Sequence, residues 1–391
     1  MRQTGLRAVF MRGGTSKAVM FRAEDLPRDR DRWAPIFLGV IGSPDANGRQ
    51  LDGMGGGVSS LSKVCVIGAP TRPDADVDYT FAQASVSSAT VDYSGNCGNM
   101  SSAVGPFAVD EGLVKVGGEE AVVRIHNTNT RKLIVARFAM DDGRAAVDGD
   151  FALPGVAGTG APVRLEFLEP GGAGTGQLLP TGNVIDRLEV AGLGGIEVSM
   201  IDAANPCVFV AAESLGMTGI EMPEELDAIG DLLARLEAIR IAASLRMGIA
   251  RGAEEAMRKP SIPKVAMVTG PRAAMTLAGD RIAPDDADLT VRMISIGQPH
   301  RAVPLTGAMC LAVASRLPGS IAHRVARAAA SPEAPVRIAQ PSGLTIVGAA
   351  VRRVADGWVA DHATVYRTAR RLMEGVVFVR ASALTAVAGN S

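Results

Sequence analysis

The stretch of this chain best suited to chemistry is Ser94-Gly95-Asn96-Cys97-Gly98-Asn99. A thiol stands there among small, donor-rich residues, directly ahead of an apolar helical run from Met100 to Val109, so Cys97 belongs at a helix N-terminus. The first N–H groups of a helix have no partner within it, and with the helix dipole they favour an anion or a thiolate. Gly98 lets the backbone close around a small ligand with no Cβ in the way. Lys63 is the second candidate. It follows Val58-Ser59-Ser60-Leu61-Ser62 and leads the apolar run Val64–Ile67. A lysine at the head of an apolar strand is open to desolvation, which lowers its pKa and makes it a usable general base; a lysine snorkelling from a strand end is the alternative.

Three other segments offer binding groups. Arg12-Gly13-Gly14-Thr15-Ser16-Lys17 supplies backbone N–H groups, two hydroxyls and two cations without the spacing of a Walker loop. It suits a carboxylate better than a nucleotide, and a plain hairpin turn between Leu6–Met11 and Ala18–Phe21 competes with that role. Leu305-Thr306-Gly307-Ala308 opens a second small-residue helix, an echo of the first, and a pair of such N-termini would bind a dianion. His300 lies just before that helix, either as a site residue or as a hydrogen-bonded structural histidine.

Other chemistries find no support. Glycines at 172, 174 and 176 are not in GxGxxG spacing, which argues against nicotinamide or flavin. The histidines His126, His300, His323 and His362 show no metal-ligand spacing, so neither a metal nor a cofactor is expected. Cys65, Cys97, Cys207 and Cys310 form no C-x-x-C pair, which points to a reduced, cytoplasmic setting rather than a disulfide framework. With 40 basic against 41 acidic residues and no long single-sign block, nucleic acid and a membrane surface are poor partners; a small molecule is the natural one. The apolar stretch around Ala302 to Leu317 is too short and broken to span a bilayer, and the opening residues lack the apolar core of a signal peptide.

A chain of 391 residues exceeds one ordinary core. Strand patterns fall at Lys63–Ile67, Asp76–Val86, Val122–His126, Lys132–Ala139, Ile196–Ile201, Val265–Thr269, Leu289–Ser295 and Leu344–Val351. Helical patterns fall at Asp29–Ile41, Met100–Gly112, Pro223–Ala250 and Thr306–Arg316. Few βαβ spacings separate the strands, so an antiparallel α+β fold is expected rather than a doubly wound sheet. The glycine-rich run Pro170–Gly176 reads as a flexible loop near the boundary between halves, just before Leu179-Pro180-Thr181-Gly182-Asn183.

Taken together, these segments resemble the PrpF family of allylic isomerases, whose fold resembles that of diaminopimelate epimerase. The carriers are the Met11–Lys17 turn, Gly42-Ser43-Pro44-Asp45, Leu51-Asp52-Gly53-Met54-Gly55-Gly56, Ser62-Lys63 and Asp76-Val77-Asp78-Tyr79. They continue through Ser94–Asn99 with Val104-Gly105-Pro106-Phe107-Ala108, Pro180–Asn183, Asn205-Pro206-Cys207, Pro341-Ser342-Gly343 and Thr368–Gly375. The resemblance implies two similar domains, residues 1–183 and 184–375, each a central helix wrapped by a curved, mostly antiparallel sheet. It also implies a last strand, about 376–381, that returns to the first domain, and a homodimer. In diaminopimelate epimerase two cysteines face each other across the substrate; here the second position falls on Pro304 or Leu305, which counts against a two-thiol racemase.

The expected activity is therefore a cofactor-independent 1,3-proton shift in an unsaturated di- or tricarboxylate such as methylitaconate, 2-methylaconitate, aconitate or 4-oxalomesaconate. The stretch Pro73–Ser85 with His126–Thr130 looks most like the methylitaconate branch. Lys63 and Cys97 are the expected catalytic pair, with Ser16, Lys17, Asn96, Gly98, Asn99, Gly182, Asn183, His300, Thr306 and Gly307 around the substrate. An epimerase on the same fold, an accessory protein of a dehydratase, and a carboxylate-binding protein without turnover are the alternatives.

Overall fold

The computed structural model describes residues 3–93, 95–295, 297–331, 334–355 and 357–382. The chain forms two compact units: Met1–Glu166 together with the chain from Tyr366 onward, and Phe167–Val365.

In the first unit the strands are β1 (Gln3–Gly13), β2 (Ser16–Arg22), β3 (Lys63–Gly68), β4 (Val77–Ala84), β5 (Glu120–Asn127), β6 (Lys132–Asp141) and β7 (Pro162–Leu168). The helices are α1 (Trp33–Ile41) and α2 (Gly98–Asp110). β1 pairs antiparallel with β2, β2 parallel with β3, β3 antiparallel with β4, β4 parallel with β5, and β5 antiparallel with β6. β6 pairs with β7, and the long C-terminal strand (Gly357–Arg380) pairs with both β7 and β1, which closes the ring. The helix α2 is buried on every side from Met100 to Val109. That is possible because its residues are small: a Cβ on Gly105 would stand 2.7 Å from the Phe138 ring and 3.0 Å from the Ala136 Cβ. On the opposite face of the sheet Trp33, Ile36, Phe37, Val40 and Ile41 of α1 pack on Val19, Phe21, Val64, Val66, Ala82 and Ala84. Strand side chains alternate between faces. Ser16, Lys63, Cys65, Tyr79 and Gln83 therefore share the face toward α2, and Lys17 does not.

The second unit repeats the plan. Its strands are β8 (Asp186–Val190), β9 (Gly194–Asp202), β10 (Pro206–Ala211), β11 (Lys264–Thr269), β12 (Leu289–Ser295), β13 (Val336–Gln340) and β14 (Gly343–Val354). Its helices are α3 (Pro223–Ala228), α4 (Leu232–Arg246), α5 (Ala253–Arg258), α6 (Leu305–Ser315) and α7 (Ile321–Val325). From β9 to β14 the pairings run antiparallel, parallel, antiparallel, parallel, antiparallel, the same succession as from β1 to β6. Leu232, Leu236, Ile239 and Ala243 of α4 pack on Val208, Val210, Val265 and Met267. The central helix is α6, buried from Gly307 to Ser315. The final strand, β15 (Gly357–Arg380), pairs with β14 through Val365 and with β1 from Ala369 to Arg380.

Three expectations need correction. The glycine-rich run does not mark the division between the units, which lies at Glu166/Phe167 rather than near residue 183. Its loop is tied inside the second unit, because the N–H groups of Gly174 and Thr175 and the Thr175 hydroxyl all donate to the buried Asp202 carboxylate, at 2.8, 2.7 and 2.8 Å. The return to the first unit begins at Tyr366, ten residues before 376, as a continuation of one strand rather than a separate element. The Pro223–Ala250 helix is broken at Ile229-Gly230-Asp231, where Gly230 takes a positive φ, and ends before Gly248, which also does. Ser94 lies outside the described residues.

Candidate active site

Lys63 heads β3 and is 7% exposed. Its Nζ donates to Oε1 of Gln83, its register partner on β4, and lies 5.1 Å from the centroid of the Phe81 ring. The Gln83 amide is in turn oriented by donating to the carbonyls of Ser59, Ser62 and Ala84. A glutamine accepts without adding charge, so the lysine is held in place while no carboxylate neutralises it among the described residues.

Cys97 is the N-cap of α2, half-buried, in extended conformation. Its carbonyl accepts from the N–H and hydroxyl of Ser101, at 3.0 and 3.1 Å. Behind it lie Cys65 and Tyr79, with the Cys65 thiol 3.8 Å from the Tyr79 hydroxyl. Burial first, and then the neighbouring thiol groups, push both of these up in pKa, so they stay neutral. Asn96 is fixed through Oδ1, which accepts from Asn127 Nδ2 at 3.0 Å and from the Ser101 hydroxyl at 3.3 Å. Asn127 is itself buried, with Oδ1 taken by the N–H and hydroxyl of Thr130.

Asn99 joins the first turn of α2 to the Arg12–Lys17 turn: its Nδ2 donates to the Thr15 hydroxyl at 3.1 Å. Gly13 and Gly14 make that approach possible. A Cβ on Gly13 would lie 2.8 Å from the Asn99 carbonyl oxygen, and one on Gly14 2.3 Å from the Asn99 side-chain oxygen. Ser16, buried, lies on the face toward α2, whereas Lys17 sits over the Phe10 ring on the α1 face. The expected binding role of Lys17 therefore conflicts with its place: a one-residue step along a strand reverses the face.

In the second unit several of the expected residues are held by local contacts. The Asn183 amide donates to Asp186 at 3.1 Å and the Thr181 hydroxyl donates to the same carboxylate at 2.6 Å, so Thr181-Gly182-Asn183 caps a buried acid, with Gly182 supplying a positive φ. His300 Nδ1 accepts from the Ala302 N–H at 3.1 Å, and burial, then the charge of Lys264, lower its pKa. Thr306 and Gly307 do begin α6, after Pro304 as N-cap. The place where a Gly307 Cβ would stand is filled by Met293, whose Sδ would be 2.6 Å away. Cys207 and Cys310 are buried and, like the other two cysteines, free. No group of three or more His, Cys, Asp or Glu able to hold a metal occurs among the described residues. None of the helices described is long and apolar enough to cross a membrane.

Sequence reasoning missed three residues of the first unit that the structure brings to this region: Gln83 beside Lys63, Asn127 beside Asn96, and Arg367, whose Nε donates to Asn99 Oδ1 at 3.2 Å. Gln83 had a usable signal, since two strands of known register would place it opposite Lys63. Arg367 had none, because it arrives from the far end of the chain.

The family model for PrpF protein matches residues 3–380. This chain belongs to the PrpF family. The 3-methylitaconate isomerase of Eubacterium barkeri is 44% identical over 98% of this chain and 99% of its own. The 2-methyl-aconitate isomerase of Cupriavidus necator is 41% identical over 96% and 98%. A crystal structure of methylitaconate-delta-isomerase superposes with a TM-score of 0.90 at 42% identity, covering all of both chains. The expected α+β, diaminopimelate epimerase-like fold is the one observed, and the family's enzymatic class, isomerase, is that of this protein.

Proposed function

We propose that this isomerase moves a carbon–carbon double bond by a 1,3-proton shift in an unsaturated di- or tricarboxylate of the methylitaconate or 2-methylaconitate type. The observation that carries the assignment is Lys63, a buried lysine on the strand face toward α2 whose Nζ meets the neutral oxygen of Gln83 and the Phe81 ring, and no carboxylate among the described residues. As a free amine it takes the proton from the sp³ carbon beside a carboxylate. The C–H electron pair becomes a new double bond, the old double bond shifts its electrons to the far carbon, and the proton is delivered there. Between the two transfers the substrate is a dienolate with extra charge on a carboxylate that is already negative. Fixed donors aimed at that carboxylate supply most of the rate enhancement in such a step. The N–H groups after Cys97 and the side chains of Ser16 and Asn96 are suited to that task. Cys97 then serves as part of the carboxylate cradle or as the second acid/base. These two roles separate in Cys97→Ser: a cradle tolerates serine with a slight loss, whereas a proton donor does not, because a hydroxyl is a far weaker acid than a thiol of reference pKa about 8.5.

The test follows vinyl protons by NMR in D₂O with 3-methylitaconate and trans-aconitate. Migration of the double bond with deuterium at the far carbon is the expected result. Exchange without migration would make the protein an epimerase, and neither would make it a binding protein.

A further inference from the structure

We propose that Arg367 binds the substrate, its guanidinium taking a carboxylate other than the one beside the carbon that loses its proton. The proposal deepens the isomerase assignment and rests on it for the identity of the ligand. Three observations carry it.

First, Arg367 is fixed but not neutralised. Nε donates to Asn99 Oδ1 at 3.2 Å and Nη1 donates to the Tyr366 carbonyl at 2.8 Å. Both acceptors are uncharged. Among the described residues Nη2 has no partner, and no carboxylate pairs with the group. Two other arginines of the same strand differ: Arg371 meets Glu111 at 2.8 Å and Glu374 at 2.6 Å, and Arg380 meets Asp52 at 2.9 Å. Second, the surroundings are desolvating. The side chain is half-buried, and burial pulls the Arg367 pKa down to about 10, with no anion among the described residues to raise it. A guanidinium stays charged at neutral pH regardless, so among the described residues Arg367 is a cation without a counter-charge. Such a position is costly unless something supplies the anion.

Third, the place is already a site. Asn99, which orients Arg367, is the second residue of α2, two after Cys97, and its amide also holds Thr15. Thr368, the next residue, accepts from the Gly14 N–H at 2.9 Å and from Arg12 Nη1 at 2.9 Å. The free edge of the guanidinium, one N–H of Nη1 and those of Nη2, has the fork geometry that takes a carboxylate through two parallel hydrogen bonds. A substrate with two or three carboxylates needs such a second anchor, since the donors after Cys97 are committed to the reacting one. Arg367 is thus the residue that would tell a polycarboxylate from a monocarboxylate.

The experiment compares wild type, Arg367→Gln and Arg367→Lys. Calorimetry with trans-aconitate measures binding, thermal melts measure folding, and turnover of 3-methylitaconate gives KM and kcat. Loss of a charge-assisted, bidentate contact should weaken binding roughly ten- to a hundredfold. The expected result for Arg367→Gln is a KM raised by that factor, with kcat changed by less than threefold. The melting temperature without ligand should be unchanged or higher, because an unpaired cation is gone. Arg367→Lys should recover part of the affinity. A binding constant within twofold of wild type in Arg367→Gln would overturn the proposal. So would a melting temperature lowered by several degrees with kcat and KM falling together, the mark of a structural arginine. If wild type binds trans-aconitate yet moves no double bond, the isomerase assignment fails while the calorimetric comparison still decides the role of Arg367. If wild type binds no polycarboxylate, both fall.

Discussion

The central helices α2 and α6 occupy the same place in two units built on one succession of strand pairings, and they begin in opposite company. At the start of α2 stand Cys97, Asn99 and Arg367, with Lys63 heading the third strand of the repeat. At the start of α6 stand Pro304 and a Gly307 covered by Met293, with Lys264 heading the equivalent strand. The two lysines occupy equivalent places: each opens the strand that pairs parallel with the second strand of its repeat, β2 or β10. Their settings differ. Lys63 is turned toward an amide that holds it without charge, and Lys264 donates to the Ser261 carbonyl at 3.3 Å in its own approach loop, its pKa lowered by burial. One fold plan can therefore carry a donor-rich helix start, the one proposed to be reactive, in one copy and a packed one in the other. What distinguishes them is whether donors and cations near the N-terminus are left with unfilled bonding capacity.

The largest expected effect breaks or confirms this asymmetry directly. Lys63→Ala should fold and lose about 10²–10⁴ in kcat, the usual cost of removing a general base, while Lys264→Ala should lose less than about tenfold. Steady-state rates on 3-methylitaconate check both. Equal losses would mean that the two strand-heading lysines are not functionally different, and more than about a tenth of wild-type activity in Lys63→Ala would remove it as the base.

A stability comparison of the helices comes next. Gly105→Ala places a methyl group against the Phe138 ring and Ala136, both held in the sheet, and should cost about 1–3 kcal/mol. Gly307→Ala meets the end of the Met293 side chain, which can move, and alanine is the better helix former. It should be close to neutral. Chemical denaturation of the two variants ranks them, and the reverse order would show α6 to be the more tightly enclosed helix.

The smallest effect concerns His300. Its folded pKa lies below the ordinary value of about 6.5, because burial and the charge of Lys264 disfavour the protonated form. The folded state then binds fewer protons than the unfolded one, so this group's contribution to stability is present above about pH 6.5 and is lost as pH falls through that value toward the folded pKa. His300→Gln should flatten the decline of melting temperature between pH 7 and pH 5. An unchanged slope would show that His300 is not part of it.

Much of this protein could be read from order along the chain. The strand patterns at Lys63–Ile67, Leu289–Ser295 and Val265–Thr269 and the small-residue helices after Cys97 and after Pro304 appear where expected, because side-chain period and helix-start chemistry are local properties. The PrpF family model matches residues 3–380. Local pattern failed where a side chain's meaning depended on a distant partner. Asn183 looks like a ligand residue until Asp186 takes its amide, and Lys17 looks like a cation of the Arg12–Lys17 turn until strand alternation turns it onto Phe10. The glycine-rich run looks free until Asp202 gathers its N–H groups. β15 is hard to see because its Arg367–Glu374 stretch is polar and lacks alternation, and is a strand through its pairing with β1. Sequence by itself determined the family, the two-unit α+β plan and the placing of a thiol at a helix start. Tertiary structure alone decided which cations remain without an anion among the described residues, since an arginine such as Arg367 is open to the proposed binding role only when the chain's far end delivers it beside Asn99 and no described acid arrives with it.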